Sequence, residues 1–190
     1  MGGAAIESED VATTPTRLMT VEEFSKLPED RGPVYHELFH GAVVAVTRAI
    51  YRHYTIQRRL RRLLEDLAPA DGVVDIEFAY RPLPEHELWV ADLAYVSGER
   101  EKGIDPKGYL RGAPDLVVEV LSPSNTAAEM YEKQQICLEN GAKELWVIDA
   151  ERRVVRISTP RGATQSWKAG QEIPLPLFGN SRMGVDAIFG

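Results

Sequence analysis

One cysteine, Cys137, stands in 190 residues. An internal disulfide needs two thiols and a thiolate zinc site needs more, so both are excluded. A reducing, cytoplasmic setting is the default expectation. No apolar run approaches the roughly 18 residues that a membrane-spanning helix requires, so no membrane partner is expected. The opening residues, MGGAAIESEDVATTPT, offer neither a basic start nor an apolar stretch, and no secretory leader is expected there. They also lack apolar periodicity and read as a disordered tail over 1–16. Excess positive charge is missing as well: 22 Lys and Arg stand against 29 Asp and Glu, a formal net charge of −7. That argues against a protein that coats nucleic acid, because phosphate neutralisation needs clustered cations. It leaves room for chemistry on nucleic acid through a local basic patch.

The chain as a whole has 44% hydrophobic and 27% charged residues, an ordinary globular composition, and 17–190 reads as one domain. LMTVEEFSKL predicts a short helix over 18–27, with Thr20 and Glu23 spaced as a capping box. YHELFHGAVVAV predicts a hairpin turning near Gly41. Over 50–67, Ile56, Leu60, Leu63, Leu64 and Leu67 recur at helical spacing, while Arg58, Arg59, Arg61 and Arg62 fall mostly on the other side. VVDIEFAYRP and ELWVADLAYVS read as strands, 99–111 as a polar loop, and 116–121 as a further strand. A second amphipathic helix follows over 126–140, with Met130, Ile136, Cys137 and Tyr131 turned inward. LWVID and VVRIS form a hairpin, and the remaining tail reads as irregular. This alternation predicts a mixed α/β layer fold.

The segment GAPDLVVEVLSPSN carries two acids in an apolar run. Asp115 and Glu119 are four apart and would share one face of a strand. At about 3.3 Å per residue their backbones lie roughly 13 Å apart, too far to share one small cation. Asp115 follows a proline at the strand entrance, where an Asp commonly makes a local turn bond, and that role is expected. Glu119 lies between two valines in mid-strand, where a carboxylate is costly unless paired or bound to metal. Asp92, in ELWVADLAYV, is a second acid of that kind. Neighbouring strands are about 4.8 Å apart, so the two acids in register could clasp one cation. Lys133, on the helix after the Glu119 strand, could orient a water or stabilise phosphate charge. Pairing with Glu129 in solvent is its ordinary alternative. Glu37 is a third acid near strand structure. His53 opens the basic helix as a base, a ligand or a cap.

Taken together, YHELFHGAVV, His53 before a helix, VADLAYV, GAPDLVVEVLSPS, and the EK of AEMYEKQQICLENGAKELWVID resemble the Uma-type family of putative restriction endonucleases, within the PD-(D/E)XK nuclease superfamily. The resemblance spans roughly 18–189. It implies a central mixed sheet flanked by helices, with the metal site at a strand fork. Carried over by position, Asp92 matches the first metal-binding aspartate and Glu119 the second acid. Lys133 matches the lysine of the following helix, Glu37 the early glutamate, and His53 the histidine that opens the long helix. Some positions depart from the pattern: Ala91 stands where a proline is common, Leu121 replaces the superfamily lysine, and Cys137 stands where a tyrosine is frequent. The stretch after SPS lacks arginine.

The resemblance implies a Mg²⁺- or Mn²⁺-dependent endodeoxyribonuclease. Asp92, Glu119 and the Val120 carbonyl would hold the ion, and Lys133, Glu37 and His53 would complete the catalytic set. DNA would approach the arginine face of helix 50–67 at Arg58 and Arg62, although a solvated face is the ordinary reading of such a pattern. Two alternatives stand beside this: a nuclease scaffold used only for binding or assembly, and a metal-dependent hydrolase of another phosphoester. The resemblance also suggests a homodimer, for which VVRIS would be an available edge strand, although the sequence alone does not establish one.

Overall fold

The computed structural model describes residues 17–28, 34–47, 50–122 and 125–190. The tail expected at 1–16 and residues 123–124 lie outside them.

Thr20 caps α1 (Val21–Phe24), and its capping box with Glu23 is formed. The helix lasts a single turn, because Pro28 disfavours helical geometry in the residue before it. β1 (Val34–Phe39) and β2 (Ala42–Thr47) form an antiparallel ribbon. Both turn residues, His40 and Gly41, have positive φ (48° and 69°), which matches the right-handed twist of a hairpin. Next comes α2 (Tyr51–Glu65), which buries Ile56, Leu60 and Leu64 on one stripe. β3 (Val73–Arg81) and β4 (Trp89–Val96) follow as expected. The supposed polar loop at 99–111 contains a one-turn helix, α3 (Gly98–Glu101), and a two-residue strand, β5 (Leu110–Arg111).

β6 (Leu116–Val120) leads through α4 (Ala127–Glu139) to β7 (Glu144–Asp149), which lies parallel to β6. Thr126 and Glu129 form a second capping box. α4 turns Met130 and Cys137 inward, whereas Tyr131 is exposed, contrary to the sequence expectation. β8 (Val154–Ser158) completes the hairpin. The tail is more ordered than it reads: it supplies β9 (Thr164–Lys168), the ribbon of β10 (Glu172–Leu175) and β11 (Ser181–Gly184), and α5 (Val185–Phe189).

The central sheet is mixed and runs β5-β3-β4-β6-β7-β8-β9. β8 pairs with both β7 and β9, so VVRIS is an interior strand and not an edge open to a second copy. One face is covered by α2 and the C-terminal elements, through Leu60, Leu64, Leu93, Val118, Trp146, Phe178 and Ile188. The other face packs Trp89, Val117 and Leu145 against Met130 and Cys137 of α4. The β1–β2 ribbon docks on the rim through a Leu38↔Leu88 bridge. No described helix is long and apolar enough to cross a membrane.

Candidate active site

The β4–β6 ladder pairs Tyr95↔Leu116, Ala94↔Val117 and Leu93↔Val118 and then stops. The next step would set Asp92 opposite Glu119. On the other flank, β3 pairing jumps from Ile76↔Leu93 to Phe78↔Ala91, and Glu77 between them takes a left-handed φ of 52°. Asp92 therefore sits where β4 has a gap in pairing on both sides, and strained backbone of this kind clusters at functional sites. The fork admits side chains from both faces of the sheet.

From the α2 face, Gln57 Nε2 donates to Asp92 Oδ1 at 2.8 Å, and His53 Nε2 lies 2.8 Å from the same oxygen. The Val120 backbone N–H donates to Asp92 Oδ2 at 2.6 Å. Glu119 alternates with Val118 and Val120 and so faces α4, where Lys133 Nζ meets its Oε1 at 2.8 Å. Lys133 also lies over the Trp89 ring, 5.6 Å from its centroid. Glu129 is occupied in the α4 cap, so the solvated pairing for Lys133 does not form. Glu37 Oε1 accepts the Val90 N–H at 3.0 Å, which ties it to β4 two residues before Asp92. The ribbon is held to α4 as well, by His40 Nε2 on Glu132 Oε1 at 2.9 Å. The side chains of His53, Glu119, Lys133 and Asp92 keep between 11% and 19% exposure. They are sheltered from bulk water and still reachable.

Burial pushes the Glu119 carboxyl up to about 8, with Asp92 and Glu37 adding to the rise and Lys133 opposing it. Burial works to lower Lys133, but the charges of Glu119 and Glu37 outweigh it and hold the ammonium protonated. Tyr35 is raised by burial and by Glu37. Three carboxylates (Glu37, Asp92, Glu119) thus crowd one lysine and one histidine, and the cluster is short of positive charge.

All five residues singled out from the sequence are drawn together around this fork, and Val120 joins them through its backbone. Asp115 is placed elsewhere. It is 0% exposed and bonds the Ser97 N–H at 2.9 Å and its hydroxyl at 3.1 Å. Lys143 lies at 2.9 Å and Arg100 at 3.4 Å. These are long-range partners and not a local turn bond, so Asp115 staples two loops at the far end of β6. Among the arginines of α2, Arg61 pairs with Glu65 and Asp75. Arg58 lies over the Tyr54 ring, and Arg62 is exposed.

The Uma2 family model, described as "Putative restriction endonuclease", matches residues 21–181. The chain belongs to the Uma2 family. No curated protein matches the sequence. Among solved structures, the crystal structure of a putative nuclease belonging to DUF820 from Anabaena variabilis ATCC 29413 superposes with a TM-score of 0.75 at 21% identity. The match covers 90% of this chain and 97% of that one, and it shows a shared nuclease-type fold.

Sequence reasoning missed Gln57 in this Uma2 chain. It is 1% exposed, and its Oε1 has no hydrogen-bond partner among the described residues. The available signal was a glutamine one turn after His53, set inside the stripe of Ile56, Leu60 and Leu64. A polar residue on a buried stripe needs a polar partner, and here Asp92 supplies it.

Among the described residues, no three His, Cys, Asp or Glu side chains converge as a ready metal cage. The donor chemistry nonetheless suits a hard cation. Two carboxylates lie at the strand fork near enough for Asp92 to raise Glu119, the Val120 backbone bonds Asp92, and the buried Gln57 Oε1 has no hydrogen-bond partner among the described residues. Magnesium takes few protein oxygens and keeps several waters, so a cage of three side chains is not required.

Proposed function

We propose that this protein is a divalent-cation-dependent endonuclease that hydrolyses phosphodiester bonds in DNA at the β4–β6 fork. The observation that carries this reading is the juxtaposition of Asp92 and Glu119 one step beyond the last ladder pair, with Lys133 against Glu119. Asp92, Glu119 and the Val120 carbonyl would hold Mg²⁺ or Mn²⁺. When bound, such an ion supplies Lewis acidity toward the scissile phosphate and lowers the pKa of a water.

The chain's own groups do the rest. Lys133 is fixed by Glu119 and Trp89, so its ammonium stays in place to orient the attacking water or to offset charge as the phosphate becomes pentacovalent. His53 and Gln57 hold Asp92 from α2. Glu37 adds negative field beside the pair and fixes the rim ribbon to β4. The sheltered fork limits bulk water, which strengthens each of these interactions.

The test is cleavage of plasmid DNA, single-stranded DNA and RNA with Mg²⁺ or Mn²⁺ against EDTA, with calorimetric titration of the ion. DNA products that appear only with the ion support the reading. Equal turnover in EDTA overturns it. A second reading, a binding module with no catalysis, is favoured by one observation: every carboxylate oxygen named at Asp92 and the Glu119 Oε1 already have protein neighbours. Under that reading calorimetry shows no ion uptake.

Two further outcomes are expected. Since the Glu119 carboxyl is raised to about 8, an arriving cation displaces a proton below that pH. Affinity for Mn²⁺ should rise with pH by up to about tenfold per unit and level off above about 8. Calorimetry in buffers of different ionisation enthalpy should show about one proton released near neutrality. Lys133→Met should lower kcat on the order of 10²-fold, while Mn²⁺ affinity stays equal or rises because a repelling ammonium is gone. A large loss of ion binding in that variant would show Lys133 to be structural.

A further inference from the structure

On the flank of α2 away from His53 and Gln57 lies a cavity of about 260 Å³, lined by Tyr51, Arg52, Arg59, Ala150, Arg153 and Phe189. Three guanidiniums meet there in a chain whose net charge is −7. Arg52 donates to the Ala150 carbonyl and Arg59 to the Ile188 carbonyl at 3.3 Å. Neither has a carboxylate partner among the described residues. Arg153 pairs with Asp186 at 3.4 Å and lies over the Phe189 ring, 5.3 Å from its centroid. Each guanidinium carries five N–H donors, so most donors around the cavity are not used by the protein. Among the described residues, Asp186 and the Gly190 oxygen that Arg153 also reaches at 3.5 Å stand against three arginines, which leaves a local positive surplus. The positive end of the α2 dipole adds to it, and Tyr51, 85% exposed, offers a flat face at the rim.

We propose that this cavity binds a backbone phosphate of the nucleic-acid strand, away from the bond that is cut. The inference rests on the nuclease reading for its substrate class. Arg52 precedes His53 by one residue, and the two project from neighbouring sides of one helical turn. A phosphate in the cavity lies about one helix width, roughly 10 Å, from the Asp92–Glu119 fork. The arginines therefore set the register of the strand across α2, and the carboxylates act on a bond at fixed distance from the anchor.

The test is fluorescence anisotropy of a labelled duplex oligonucleotide in EDTA, where nothing is cleaved. Arg52→Gln with Arg59→Gln should weaken binding about tenfold and reduce the slope of log K against log salt by about 0.9, the loss of one phosphate contact. Lys26→Gln with Lys107→Gln makes the same change in net charge at exposed residues elsewhere and should leave both quantities unchanged. Arg52 is exposed and touches only a loop carbonyl, so Arg52→Gln alone gives the same reading if the double variant melts early. Unchanged affinity and slope in the arginine variants overturn the proposal. So does saturable, arginine-dependent binding of inorganic phosphate with no change for the oligonucleotide, which would make the cavity a site for a small free anion. If ion-dependent cleavage is absent throughout while anisotropy still depends on Arg52, the hydrolytic reading fails and the phosphate anchor stands.

Discussion

Glu119→Gln is expected to abolish ion-dependent cleavage, with a loss on the order of 10³-fold. Of the two acids at the fork, Glu119 gives the cleaner variant. A glutamine keeps the volume and can still present an oxygen to Lys133, so the helix contact survives. What disappears is a negative charge in a sheltered place, the property that a divalent cation needs from this side chain. Asp92→Ala removes the other acid but also leaves the Val120 N–H and Gln57 Nε2 without their acceptor. It should therefore lose both cleavage and some stability. The paired measurement is plasmid nicking at saturating Mg²⁺ together with Mn²⁺ titration. Cleavage that persists in both variants rules out this site. Loss of cleavage with ion binding intact would move the function of Glu119 from holding the ion to orienting water.

The largest effect on stability is expected away from the fork, at Asp115. Its carboxylate is fully buried among Ser97, Arg100 and Lys143. Burial works to raise its pKa, but the Ser97 N–H, Lys143 and Arg100 outweigh that and hold it below the ordinary aspartate value. Asp115→Ala leaves the Ser97 N–H and hydroxyl without their acceptor and unpairs the half-sheltered Arg100, while the exposed Lys143 is free to return to water; the loss is on the order of 3 kcal/mol. The melting temperature should fall by roughly 10 °C for a domain of this size. The sign with pH follows from the depressed pKa. The stabilisation is present above the unfolded value of about 3.9 and is lost as pH falls through the lower folded value. Urea melts of the wild type and the variant should therefore differ widely at neutral pH and converge progressively as pH falls below the unfolded aspartate value of about 3.9. Parallel curves across that range would show that Asp115 contributes through packing and not through charge.

The sequence reveals the pair at the fork because two acids each stand in mid-strand among valines and leucines, and that pattern is costly without a purpose. It does not reveal how the fork is opened. The left-handed Glu77 has no signature in VVDIEFAYRP, because the strain comes from pairing with β4 and not from local preference. Gln57 sits in an arginine-rich helix with nothing local to mark it, and only the docking of α2 on the sheet makes it a neighbour of Asp92. For Asp115, the preceding proline points to a local turn bond. Its real partners come from 18 residues before and 28 residues after it, beyond the reach of a neighbour-based argument. The C-terminal strands are short and interrupted by glycine and proline, so their alternation is too brief to register. They nevertheless contribute Ile173 and Met183 to the main core, which their connecting turn and α5 join through Phe178 and Ile188.

The hydrogen bond from the Val120 main chain to Asp92 has a thermodynamic corollary. In a continuous ladder that amide would donate to a carbonyl on the facing strand, and here a side chain has taken the carbonyl's place. The aspartate is thereby locked into one rotamer by the act of folding, before any ion arrives. A metal reaching the fork meets a ligand with almost no conformational freedom left to surrender, so the entropy of arranging it belongs to the folding transition and not to binding.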